Sequence, residues 1–65
     1  MNIPINEKVV VTYLEEGVKD YLVTYHPLRG KYTLHKIIGD KLQKMKTANT
    51  PVEFDELVEE DRSEI

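Results

Sequence analysis

The sequence predicts an α+β fold: a small antiparallel β-meander of three to four strands with one C-terminal helix. Three observations predict it. Runs of β-branched and aromatic residues follow one another through short loops bearing glycine or proline, with no helical crossover, which favours antiparallel pairing. One apolar stripe at helical spacing, Phe54, Leu57 and Val58, comes near the end. The chain has 65 residues and no cysteine, so it suits one small domain, 1–65, with no disulfide and no thiolate metal site.

The elements follow in chain order. Residues 1–7, with Pro4 between Asn2 and Asn6, read as an extended N-terminal arm. The β-meander is expected over 8–47. Lys8–Leu14 is rich in β-branched residues and reads as a strand. Glu15, Glu16 and Gly17 read as a three-residue hairpin loop, with glycine at the positive-φ position. Such a loop pairs Leu14 with Val18 and opens a second strand, Val18–Tyr25. It places Val9, Val11, Tyr13, Tyr21, Val23 and Tyr25 on one face, expected to be the core face. Val10, Thr12, Asp20, Leu22 and Thr24 fall on the other.

His26–Gly30 is a loop, because Pro27 biases His26 away from helical angles and Gly30 permits a turn. Tyr32–Ile38 is the third strand. Gly39-Asp40 signals a turn, so Lys41–Thr47 becomes a fourth strand, with Leu42 opposite Ile37 and Met45 opposite Leu34. The rival reading of 41–47 is a short helical turn capped by Asp40, since lysine, glutamine and methionine favour helix locally. Thr50-Pro51-Val52-Glu53 has the pattern of a capping box, which predicts a helix over Pro51–Glu60 lying on the sheet by Phe54 and Leu57. Residues 61–65 are expected to be a frayed acidic tail.

The net charge of −3 hides a polarised layout. Between residues 26 and 46, Arg29, Lys31, Lys36, Lys41, Lys44 and Lys46 face one acid, Asp40. From residue 47 onward, Arg62 faces Glu53, Asp55, Glu56, Glu59, Glu60, Asp61 and Glu64. A basic middle thus precedes an acidic end. No stretch is apolar enough for a signal peptide or a membrane span, so a cytoplasmic location is expected and no membrane partner.

Little in the chain points to catalysis. The one serine, Ser63, lies near the end, and Gly17, Gly30 and Gly39 are isolated turn glycines rather than a phosphate loop. His26 and His35 stand nine positions apart without a carboxylate at helical spacing, which matches no metal motif. No enzyme, cofactor or metal is expected. The reading that remains is a non-enzymatic protein-interaction module, binding and inhibiting or regulating a larger protein partner. Its candidate contacts are Leu28, Arg29 and Lys31 in the β-loop, Lys44 and Lys46 on the hairpin, and Glu56, Glu59 and Glu60 on the helix; the other reading of Leu28 folds it back on the core. The alternative is a nucleic-acid-binding module using the basic 29–46 hairpin. A third arrangement lays the acidic helix against the basic hairpin, within one chain or across a homo-oligomer. Self-association is a common way for so small a core to gain burial. The lysine-, isoleucine- and glutamate-rich, alanine-poor composition resembles that of small accessory proteins from AT-rich bacteria and their phages.

Overall fold

The structure, a computed structural model, describes residues 3–16 and 19–64. Strands β1 (Lys8–Tyr13), β2 (Asp20–His26), β3 (Lys31–Ile38) and β4 (Lys41–Ala48) form one antiparallel sheet in the order β1-β2-β3-β4. Helix α1 (Phe54–Ser63) follows and covers one face. The predicted fold class is the observed one, and 41–48 is a strand rather than a helical turn.

The two central strands carry the core. Tyr21 and Val23 of β2 and Leu34 of β3 meet Phe54 and Val58 of α1, all buried, with Tyr13, Tyr32, Met45, Ala48 and Leu57 packed around them. Phe54 and Val58 stand at i and i+4, so a single helical stripe reaches the sheet. Val58 is the second anchor, where Leu57 was expected; Leu57 is half-buried beside them.

The first hairpin differs in register from the expectation. Pairing Leu14 with Val18 would set Tyr13 against Lys19, but Tyr13 lies opposite Tyr21, two residues further on. A shift of two preserves which side chains share a face, so Tyr13, Tyr21 and Val23 still point to the helix. The loop glycine, Gly17, and Val18 lie outside the described residues. Val9 breaks the expected pattern. A β-bulge between Val9 and Val11 leaves Val9 opposite Thr24, on the face away from the helix. One inserted residue reverses the alternation, which periodicity in a single strand does not reveal. Both Val9 and Val11 remain exposed instead of entering the core.

A second bulge, between Leu34 and His35, has the same effect on β4. Leu42 faces Ile37 as expected, but Leu34 faces Lys46 instead of Met45. Met45 becomes the additional residue and still packs against the core.

The helix starts and ends later than its local signals predict. Its N-cap is Glu53, with helical angles and no side-chain capping bond. Residues 51–53 form a turn ahead of it, closed by the Phe54 amide donating to the Pro51 carbonyl at 3.0 Å. The capping box centred on Thr50 is therefore not used. Packing chooses the limits: Phe54 and Val58 must meet the sheet, and the last turn is held by Asp61 and Arg62. Asp61–Ser63 belong to the helix and not to a frayed tail; Ile65 lies outside the described residues.

The described part of the arm, residues 3–7, is not extended either; Met1 and Asn2 lie outside the described residues. Its amide at Glu7 donates to the Pro4 carbonyl at 3.2 Å, and Asn6 takes a positive φ of 70°. That turn brings Glu7 over the second face of the sheet, where Leu22, Thr24, Thr33 and His35 are buried.

Candidate interaction surfaces

The β2–β3 turn presents Leu28 and Arg29. His26 and Lys31 are the last pair of the ladder, leaving the four residues 27–30 as the turn. The amides of Arg29 and Gly30 both donate to the His26 carbonyl, at 3.2 and 2.8 Å. Gly30 adopts φ 63°, a conformation that costs a residue with a Cβ about 1 kcal/mol or more. Proline fixes one corner of the turn and glycine the other. Leu28 does not fold back on the core: it is 83% exposed, with Arg29 exposed beside it.

The other predicted contacts do not form one surface. Lys31 reaches back to the side chain of Asn49. Lys44 lies opposite His35, and Lys46 opposite Leu34, so the β4 bulge puts them in different settings. Lys46 turns to the helix and pairs with Glu53 at 3.1 Å. Lys44 lines an open groove of about 410 Å³ on the second face, with Pro4, His35, Asp40, Lys41 and Leu42. Glu56, Glu59 and Glu60 are exposed and line a shallow depression with Ser63 on the outer side of α1.

Part of the acidic end is neutralised by the basic middle within the chain. Asp61 accepts a hydrogen bond from the Tyr21 hydroxyl and an ion pair from Lys36 at 3.1 Å. The Tyr21 bond, and then Lys36, hold its carboxyl below the usual carboxylate range. Burial, and then Asp61, push the Tyr21 hydroxyl well above its ordinary value. Lys19 donates to the Asp61 carbonyl at 2.9 Å, close to the helix C-terminus, where a cation also suits the helix dipole. Arg62 donates through Nε to the Lys19 carbonyl at 2.9 Å and through Nη2 to the Tyr13 carbonyl at 3.1 Å. It also pairs with Glu15 at 3.3 Å and lies 5.4 Å from the centre of the Tyr21 ring. At the same end of the first strand, the Tyr13 side chain donates to Asp55 at 2.6 Å; burial and this bond push its hydroxyl up to about 12. The sequence reading assigns Asp61 and Arg62 to a frayed acidic tail, and the structure places both in the last turn of α1. The signal that was available is their spacing, since Asp61 falls seven residues after Phe54 on the apolar stripe.

The second face holds a polar chain. Thr24 Oγ1 donates to Glu7 Oε1 at 2.6 Å, so it accepts from His35 Nε2 at 2.9 Å, which puts the ring proton on Nε2. Burial lowers the His35 pKa, and Lys44 adds to that, while Glu7 opposes it. Among the described residues no three histidine or carboxylate side chains converge as metal ligands, and no helix is long and apolar enough to cross a membrane.

Comparison with protein-family models, with curated proteins and with solved structures finds no match to this chain.

Proposed function

We propose that the chain is a small non-enzymatic protein-interaction module that binds, and so inhibits or regulates, a larger protein partner. One observation carries this reading: an 83% exposed leucine, Leu28, held beside Arg29 at the tip of a turn built by proline and glycine. An aliphatic side chain and an arginine on a preordered tip anchor an interface with little ordering entropy to pay at binding. Among the described residues Leu28 lies outside the core cluster. The exposed carboxylates of Glu56, Glu59 and Glu60 supply a second, acidic contact for a basic partner. A cytoplasmic accessory protein of bacterial or phage type is the setting this reading fits.

The nucleic-acid alternative is weaker. Lys36 and Lys46 are engaged by Asp61 and Glu53, which interrupts the basic hairpin as a phosphate-tracking surface. The test retains proteins from a cell lysate on the immobilised chain, in parallel with Leu28→Asp and Arg29→Glu. The proposal expects a protein bound by the wild type and lost from both variants. An identical retained set on all three overturns it. A salt-dependent gel shift with DNA or RNA, abolished by Lys44→Glu, would favour the alternative.

A further inference from the structure

We propose that the outer edge of β1 is a self-association surface, on which a second copy of this chain adds its own β1 antiparallel to extend the sheet across a twofold axis. Among the described residues β1 is paired on one side only, with β2. Its three consecutive valines, Val9, Val10 and Val11, are 43, 47 and 38% exposed, and Leu14 just beyond the strand is 66% exposed. The opposite edge is built otherwise: β4 carries Lys41, Lys44 and Lys46, the residues that discourage strand addition. One edge is guarded by charge and the other is apolar, so the two edges are not equivalent surfaces.

Charge selects the occupant. Lys8 precedes the valines and Glu15 follows Leu14, so the segment is basic at one end and acidic at the other. Laid antiparallel on itself, it sets each end against its opposite. The bulge makes the register coherent. Because Val10 is the additional residue, Lys8 and Val9 are displaced by one position relative to Val11–Tyr13. With Thr12 on the twofold axis, Val11 then faces Tyr13 of the second copy, Val9 faces Leu14, and Lys8 faces Glu15. Each pair keeps to one face of the extended sheet, as antiparallel pairing requires. Glu15 is available for this although it pairs with Arg62, since its side chain stays 61% exposed. Apolar cross-strand pairs are sealed at both ends by opposite charges, an isologous arrangement.

The experiment is sedimentation equilibrium of the full chain from micromolar to millimolar concentration. The expected result is a monomer–dimer equilibrium. Lys8→Glu weakens it about tenfold, by placing two carboxylates together at each end of the seam. The double variant Lys8→Glu with Glu15→Lys restores it, which a purely structural role for either residue would not do. Val10→Lys weakens it as well, and circular dichroism confirms that each variant keeps its fold. A monomer at millimolar concentration overturns the proposal, and so does a dimer indifferent to Lys8→Glu. This surface is separate from Leu28 and Arg29, so its failure leaves the partner-binding proposal standing.

Discussion

The Tyr21 hydroxyl, from the central strand β2, donates a hydrogen bond to the carboxylate of Asp61 in the last turn of α1, 40 residues away in sequence. Lys36 of β3 meets the same oxygen at 3.1 Å. One carboxylate thus closes the helix onto two strands. The Tyr21 side chain is fully buried and Asp61 largely so, and a buried hydroxyl without its acceptor is costly. Tyr21→Phe should cost about 2 kcal/mol, the usual range for a hydrogen bond to a charged group. Asp61→Ala should cost more, because it strands both Tyr21 and Lys36. Urea unfolding near neutral pH measures both. A Tyr21→Phe variant as stable as the wild type would show that this contact does not hold the helix.

Acid should destabilise the protein in two stages. His35 is held neutral by burial, with its folded pKa below 6.5. The unfolded chain therefore binds the extra proton first, and stability falls as pH drops below about 6.5. Asp61 has a folded pKa below 3.8, so its contribution is present above that value and is lost as pH falls through the lower, folded pKa. His35→Gln keeps a donor for Thr24 and removes the first stage. Thermal unfolding followed between about pH 7.5 and about pH 5 should show a flatter profile for this variant than for the wild type. Parallel profiles would mean that His35 is not the titrating group.

Gly30 and Gly39 both sit in the left-handed region, at φ 63° and 61°, and nothing lies within 4 Å of a Cβ added to either. Alanine would therefore cost backbone strain alone, about 1 kcal/mol at each site. Asparagine, which tolerates this conformation, should cost less. Chemical denaturation of the four variants tests the ordering. If alanine and asparagine are equivalent, strain is not what these glycines relieve.

Much of the fold was legible because it depends on local chemistry. β-branched runs, turn glycines at 30 and 39, and the Phe54–Val58 stripe each act within a few residues. The bulges at Val9–Val11 and at Leu34–His35 were not legible, since an inserted residue is specified by the partner strand and not by its own sequence. The helix limits were misjudged for a related reason. Thr50 to Glu53 offers a good local cap, but the tertiary contacts of Phe54, Asp61 and Arg62 decide where the helix lies. The turn that carries Leu28 and Arg29 was legible from Pro27 and Gly30, but the exposure of Leu28 was not, since a turn leucine can equally fold back on the core. The division of Lys44 from Lys46 was not, because it depends on the bulge.

Phe54 and Leu28 bracket what this small core can and cannot lose. Phe54 is fully buried between Tyr21, Val23 and Leu34, and it carries the first contact of α1 with the sheet. Phe54→Ala should cost about 3–5 kcal/mol, the transfer term together with the cavity left behind. A domain of this size holds only about 3–5 kcal/mol in all, so the variant should be largely unfolded at room temperature. Far-ultraviolet circular dichroism and one-dimensional proton spectra would report that loss directly. Leu28 is 83% exposed, so Leu28→Asp should stay within about 0.5 kcal/mol of the wild type. Equal stability of the two variants would place the core elsewhere than between β2, β3 and α1. If the difference holds, any binding lost in Leu28→Asp is attributable to the surface and not to the fold.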